Sequence, residues 1–345
     1  MRRLLLGLFT EAEAWRIPDD AAASLRRRFP DVEVTQAATR EEFDRALPEA
    51  EILFSWLHGR DMLDRATGLR WFHAPSAGVG AFLTPGVLAR APIVTNSRGV
   101  HAIPIAEHVM GFLIVLARGF RAAMEEQTAG GMRDDRWESP AGGVPRELVG
   151  LTLGLYGYGA IGREVARRAA SFGMRIIALK RHPDRAESWD PEWLETLGLP
   201  AEDPPVAAVL GPGDLGRFLS ESDVVVVAAP LTPETAGVFD AGAFARMKPG
   251  AWFVNVGRGK IHRENDLIAA LRAGRLGGAG LDVFEGEPLP AESELYRLDN
   301  VILTPHVSGL SSGYWGRAMR LFEANLTRDG AGRPLWNRVD LVRGY

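Results

Sequence analysis

Three short apolar runs late in the chain each stop at residues that can move a proton or hold an anion. "AWFVNV" leads to Gly257, Arg258 and Gly259, "AGLDVF" to Glu285, Gly286, Glu287 and Pro288, and "NVILTP" to His306. Histidine is the side chain that titrates near neutral pH. A carboxylate beside it stabilises the imidazolium, and a guanidinium can polarise a carbonyl or hold a carboxylate. This set suits reduction of a carbonyl, in which hydride arrives at carbon and the histidine protonates the alkoxide. The other six histidines sit elsewhere: His58 and His73 near early strand ends, His101 and His108 at the start of a long helix, His182 beside a basic pair, and His262 after the arginine loop. Only His306 directly follows a late strand. Glu285 and Glu287 have no histidine at metal-ligand spacing, so no metal is expected. The chain has no cysteine, which excludes disulfides, thiolate nucleophiles and cysteine zinc sites.

A hydride needs a donor, and "LGLYGYGAIGREVARRAASFGMRIIALKRHP", Leu153 to Pro183, has the pattern of a dinucleotide-binding unit. Leu151, Leu153 and Leu155 alternate as a strand would; Ile161, Val165 and Ala169 repeat as one helix face would. Gly157 allows the tight turn, Gly159 a close approach of backbone to pyrophosphate, and Gly162 close packing of helix on strand. The N–H groups at that helix start would meet the phosphate charge. An acidic residue about 20 positions on usually holds the adenosine ribose. Here Lys180 and Arg181 stand at the end of "RIIAL". They would favour a 2′-phosphate, hence NADP(H) over NAD(H), by charge and hydrogen bonding. The other reading makes them solvated residues at a strand end.

The elements that must position these groups are legible in the alternation of apolar runs with helix-like segments. "LLLGLF", "VEV", "EILFSW", "LRWFHA" and "PIVTN" alternate with stretches such as "DDAAASLRRRF" and "TREEFDRAL", which predicts a parallel sheet covered on both faces. A helical stretch from Ile105 to about Gly119 and a Gly- and Pro-rich loop from Thr128 to Pro145 follow. A second series has six strands, "LTLGLYG", "MRIIAL", "DVVVVAA", "AWFVNV", "AGLDVF" and "NVILTP", the size of a full dinucleotide-binding sheet. In such sheets ligands bind beyond the carboxyl ends of the strands, where the glycine loop, Arg258, the two glutamates and His306 all fall. Residues Pro183 to Gly216 read as a surface insertion, and the tail as helical near Tyr314–Leu326. At 345 residues two domains are expected. The net charge of −4 gives no reason to expect nucleic acid or an anionic membrane as partner. The apolar start is too short for a signal peptide, and "VMGFLIVLA" is far below the ~20 residues that span a bilayer. The expected location is cytoplasmic.

The motifs "GLYGYGAIG", "AAPLTPET", "MKPGAWFVNVGRG", "LIAALRAGRLGGAGLDVFEGEPLP" and "NVILTPHVSG", with "SAGVG" and "TNSRGVHAIPIAEHV" before them, resemble the D-isomer-specific 2-hydroxyacid dehydrogenase family over nearly the whole length. The resemblance implies a Rossmann dinucleotide-binding domain, 100–308, and a discontinuous flavodoxin-like substrate domain, 1–99 and 309–345. It implies that Arg258 binds and polarises the substrate, that His306 is the acid–base group, and that Glu287, five residues after Asp282, is its partner rather than Glu285. It places the substrate carboxylate on the backbone of Ala77, Gly78 and Val79, and the nicotinamide amide on Asp282. Ala160 and Ile161 would lie against the pyrophosphate, and Ala229, Pro230, Val256 and Gly257 would line the cofactor. The long helix would pack in a homodimer interface, its apolar run being core otherwise.

Three positions depart from the family pattern: Lys180 replaces an Asp, Gly80 stands where many members have Asp, and "IHREN" replaces a "VDE" type of segment. The chain ends soon after the tail helix, so the regulatory domain of many phosphoglycerate dehydrogenases is not expected. Formate dehydrogenases of this fold pair the histidine with Gln, and Glu287 argues against them. The expected substrates are small 2-oxo acids such as glyoxylate, hydroxypyruvate and phenylpyruvate-like acids. The alternative from another class is a dinucleotide-sensing corepressor-like protein with little turnover. Such relatives keep the Arg, Glu and His, but this chain has no basic tail or evident peptide-docking arm.

Overall fold

The computed structural model describes residues 1–12, 15–59, 61–131, 144–184 and 189–341. Contacts divide them into two units. The first comprises Met1–Val100, Trp189–Ala201 and Leu310–Tyr345; the second comprises His101–Ser188 and Glu202–Gly309.

The first unit holds five parallel strands: β1 (Arg2–Gly7), β2 (Val32–Gln36), β3 (Ile52–Ser55), β4 (Trp71–Ala74) and β5 (Ile93–Asn96). Their order, β2-β1-β3-β4-β5, is the flavodoxin-like one. Alternate side chains feed two cores. Leu5, Leu53, Phe72 and Val94 face one side; Leu4, Leu6, Ile52, Phe54 and Trp71 face the other. Phe322 and Leu326 of the helix Tyr314–Gly330 complete the second core, which is why the C-terminal segment belongs with the N-terminal sheet.

The second unit holds seven parallel strands: β6 (Thr152–Tyr156), β7 (Arg175–Leu179), β8 (Ala208–Leu210), β9 (Val224–Val227), β10 (Ala251–Asn255), β11 (Leu276–Leu281) and β12 (Val301–Leu303). Their order, β12-β11-β10-β9-β6-β7-β8, reverses direction between β6 and β9, the switch point of a doubly wound sheet. The four valines of β9 are fully buried, as a strand covered on both faces requires.

Two expectations need correction. The second series has seven strands, and the seventh, β8, lies within Pro183–Gly216. That segment is therefore not a surface insertion. Besides β8 it contains the helix Pro191–Leu197, started by the Asp190 side chain and ended by Gly198, with Trp193, Leu194 and Leu197 buried. This helix packs on the helix Tyr314–Gly330 within the first unit. The apolar run of the long helix, now bounded as Ala102–Arg118, buries Ile105, Ala106, Val109, Met110, Phe112 and Leu113 inside the second unit. It is core of the chain itself and carries no argument for a dimer. Among the described residues no single helix is long and apolar enough to cross a membrane. Most of the loop expected from Thr128 to Pro145 (132–143) and part of Pro183–Gly216 (185–188) lie outside the described residues.

Candidate active site

Because β6, β9, β10, β11 and β12 run parallel, everything that follows them collects at one edge of the sheet. Gly157 follows β6 with φ +103°, and a Cβ there would stand 2.7 Å from the backbone N of Ala229, after β9. Only glycine suits both demands. A Cβ at Gly162 would come within 2.5 Å of the Gly157 carbonyl oxygen, so this helix lies hard against the loop. A Cβ at Gly159 would meet nothing within 4 Å. Gly159 starts the helix Ala160–Ser171, and no side chain caps it. The orphan N–H groups of the first turn thus open onto empty space, the arrangement that receives a diphosphate. These residues fit a dinucleotide. Ala160, Ala229, Val256 and Gly257 are buried around this corner, Ile161 is half-buried and Pro230 is exposed.

Lys180 and Arg181 directly follow β7, one strand over. The Lys180 N–H donates to the Leu210 carbonyl, so β8 fixes the start of this turn. Arg181 is exposed and its guanidinium lies 3.2 Å from the Glu234 carboxylate.

The structure brings Glu287 and His306 together: His306 Nδ1 lies 2.7 Å from Glu287 Oε2. The other carboxylate oxygen accepts from the Phe284 N–H, which fixes its orientation. Both side chains remain open to solvent. Glu285 points elsewhere and accepts from the Glu264 N–H at the start of the helix Glu264–Arg272. Arg258 is exposed at the end of β10, and its guanidinium donates to the Gly257 carbonyl. Among the described residues no hydrogen bond or ion pair joins it to Glu287 or His306. In the first unit, Ala77 and Gly78 are exposed and Val79 is buried. Their loop is held by Asn96 Nδ2 donating to the Ala77 carbonyl and Ser76 Oγ donating to the Gly78 carbonyl.

Asp282 is fully buried, and its carboxylate organises the His306 loop. It accepts from Thr304 Oγ1 at 2.6 Å, the Val307 N–H at 2.9 Å and the Ser308 N–H at 3.0 Å. Its carbonyl accepts from the His306 N–H at 2.9 Å. A nicotinamide amide, the role expected of Asp282, would have to share this crowded carboxylate.

Sequence reasoning missed Asn255. Fully buried, it spends its whole amide on the arginine loop: Oδ1 accepts from the Gly257 N–H, and Nδ2 donates to the Arg258 carbonyl and to His262 Nδ1. His262 therefore carries its proton on Nε2, which has no partner among the described residues. Burial pushes its pKa down to about 4, so it is neutral at pH 7. The signal for Asn255 was a lone amide at the end of an apolar strand.

No group of three or more His, Cys, Asp or Glu among the described residues could hold a metal ion. Residues 110–308 match the family model described as the NAD binding domain of the D-isomer specific 2-hydroxyacid dehydrogenases. D-3-phosphoglycerate dehydrogenase of Archaeoglobus fulgidus is 28% identical over 328 residues, 94% of this chain but 58% of that protein, so the chain spans little more than half of this relative. Hydroxypyruvate reductase of Thermotoga maritima is 32% identical over 295 residues, 84% of this chain and 88% of that protein. The solved NADPH-dependent glyoxylate/hydroxypyruvate reductase of Sinorhizobium meliloti, in complex with NADP and sulfate, is similar with a TM-score of 0.78 at 27% identity, covering 100% of both chains.

Proposed function

The chain belongs to the D-isomer specific 2-hydroxyacid dehydrogenase family, and on that premise we propose that it reduces a small 2-oxo acid to the D-2-hydroxy acid, with NADPH preferred over NADH. The observation that carries this reading is the 2.7 Å pairing of His306 Nδ1 with Glu287 Oε2 on the sheet edge where the glycine loop opens. A bound reduced dinucleotide supplies the hydride. The glycine loop, Ala160, Ile161, Ala229, Pro230, Val256 and Gly257 hold it, with Asp282 at the nicotinamide end. In the second unit Arg258 polarises the substrate carbonyl. In the first unit the backbone of Ala77, Gly78 and Val79 is the proposed holder of a carboxylate. His306 donates to Glu287 through Nδ1, which leaves Nε2 to pass a proton to the carbonyl oxygen. Carbon gains the hydride, oxygen gains that proton, and the C=O becomes a CH–OH. Glu287 offsets the imidazolium charge before the transfer and keeps the neutral ring in one tautomer after it.

Two observations support NADPH. Lys180 and Arg181 directly follow β7, the strand end at which sheets of this kind read the ribose, and the Sinorhizobium meliloti relative is NADPH-dependent. The Arg181–Glu234 pair is exposed, and exposed ion pairs are weak, so a 2′-phosphate can displace Glu234. The names of the relatives point to glyoxylate and hydroxypyruvate as first substrates. A homodimer belongs to the same proposal. Its support is the helix Phe120–Ala129, which leaves Phe120 and Met124 44% and 59% exposed. Light scattering on the eluting protein tests it.

The test of function is initial rate with NADPH and with NADH against glyoxylate and hydroxypyruvate, followed by a wider panel of 2-oxo acids. Faster turnover with NADPH is expected. Faster turnover with NADH overturns the ribose assignment. Absence of turnover with every acid overturns the enzyme reading in favour of a dinucleotide-sensing protein.

A further inference from the structure

We infer that His108 is a positioning residue for His306, acting through Thr304 and Asp282. This rests on His306 being the acid–base group of the proposed reaction.

His306 sits at φ +55°, in the left-handed region that a non-glycine residue occupies at a cost. Such a conformation persists where its surroundings over-determine it. Here the surroundings are Asp282. Its carbonyl takes the His306 N–H, and its carboxylate takes the next two N–H groups, of Val307 and Ser308. The backbone on both sides of the imidazole is therefore tied to one buried side chain. That carboxylate is oriented in turn by the Thr304 hydroxyl, 2.6 Å from Oδ1. An ionised carboxylate only accepts, so the single hydroxyl proton of Thr304 goes to Asp282. His108 Nε2, 2.9 Å from the same hydroxyl oxygen, must then be the donor. Nε2 is also 4.0 Å from Asp282 Oδ1. The chain has one direction: His108 N–H to Thr304 O–H to Asp282, which receives the loop carrying His306.

His108 is suited to this duty. It stands on the long helix Ala102–Arg118, a rigid element whose neighbours Ala106, Val109 and Phe112 are buried. The Phe112 ring, one turn on, meets the imidazole edge-on at 4.6 Å and fixes its plane. Desolvation lowers its pKa, the nearby Asp282 charge opposing. The Nε2–H donor is present in both protonation states, so the chain survives changes of pH around neutrality.

The experiment compares His108→Ala, His108→Gln, Thr304→Val, the His108→Ala/Thr304→Val double variant and His306→Gln. The readouts are kcat, KM and NADPH affinity by fluorescence titration, with thermal melting alongside. The His108→Ala change is expected to lower kcat roughly tenfold while NADPH affinity falls much less, since loosening a reacting group without removing it costs mainly rate and Asp282 makes only one of the proposed dinucleotide contacts. Gln can reach Thr304 with its own amide N–H and is expected to restore most of the rate. The double variant is expected to be no slower than Thr304→Val alone, because both changes break one chain. The inference falls if His108→Ala keeps its kcat, if Gln fails as badly as Ala, or if the two losses multiply. Should His108→Ala not fold, Gln rescue and Thr304→Val still decide. If His306→Gln keeps full turnover, the acid–base reading falls and the positioning role with it. If that variant is dead while His108→Ala is unimpaired, only the positioning role falls.

Discussion

At the scale of residues, the bond between His306 and Glu287 makes the carboxylate's charge the quantity to test. Glu287→Gln keeps an acceptor within reach of Nδ1 and removes the charge that offsets the imidazolium. It is expected to lower kcat by about 10²-fold, at the low end of what acid–base catalysis contributes, with KM for NADPH unchanged. An unaltered kcat would reduce the pair to a surface contact. Lys180→Asp tests the ribose end. It exchanges an attraction for a repulsion toward a 2′-phosphate, and the ratio of kcat/KM for NADPH over NADH is expected to fall roughly 10- to 100-fold, the worth of one or two charge-assisted bonds. A ratio that does not move makes Lys180 a strand-end charge of no consequence to the cofactor. Arg258, Glu287 and His306 were legible because their types are chemically distinctive and each follows an apolar run. Asn255, Thr304 and His108 were not. Each is an ordinary polar residue whose role arises from a tertiary contact, and His108 meets Thr304 across 196 positions.

At the scale of elements, the glycine loop separates two demands that the sequence merges into one motif. Gly157 is required by the protein: its φ of +103° and the Ala229 backbone forbid a side chain. Gly159 has extended backbone angles that any residue can adopt, and its surroundings are empty. Gly157→Ala is therefore expected to lose about 1–3 kcal/mol of stability as well as dinucleotide binding. Gly159→Ala should melt within about 0.5 kcal/mol of the parent and still lose affinity for NADPH, because its methyl group occupies the space assigned to the diphosphate. Calorimetry and fluorescence titration on the two variants decide it; undiminished affinity in Gly159→Ala would mean that the diphosphate lies elsewhere. The strands around this loop were readable from buried apolar runs. The strand Ala208–Leu210 was not, being three residues long in a segment rich in prolines and acids. The helix Pro191–Leu197 did carry a signal, in Asp190 before it, Pro191 at its first position and Gly198 after it. Composition outweighed that punctuation, and its buried face became intelligible only against the helix Tyr314–Gly330.

For the whole molecule, each unit encloses a histidine kept neutral by burial, and this couples stability to pH. In the first unit His73 lies within a buried chain that runs one way. Trp71 Nε1 donates to Thr95 Oγ1, Thr95 donates to His73 Nδ1, His73 Nε2 donates to Ser97 Oγ, and Ser97 donates to the Ala74 carbonyl. A second proton on the ring would have to enter at Nδ1, against the Thr95 hydroxyl that already donates there. With desolvation as the cause, the pKa of His73 falls from 6.5 to about 3; that of His262, in the second unit, falls to about 4. A histidine whose pKa is depressed on folding binds fewer protons folded than unfolded, so stability is fully present above pH 6.5 and is lost as pH falls toward the folded value. The slope is about 1.4 kcal/mol per pH unit for each histidine. Glu264 and Glu323 work in the opposite direction, since burial raises their pKa values and acidification relieves them. Asp31, Asp44 and Asp329, depressed mainly by arginine partners, lose their contribution only as pH falls below the ordinary aspartate range. The window below pH 6.5 is therefore shared by His73 and His262, by His58 and His108, whose pKa values desolvation also lowers, and by the two glutamates, and a difference measurement isolates one of them. In urea titrations across that window, His73→Asn is expected to be less stable than the parent at pH 7 and to lose less on acidification, by about 1.4 kcal/mol per pH unit. Because the chain has two units, the transition should be followed by a probe confined to the first, such as hydrogen exchange at the backbone amides of β4. Equal slopes in parent and variant would mean that His73 protonates in the folded state as readily as in the unfolded one, and that the chain from Trp71 to Ala74 does not hold it neutral.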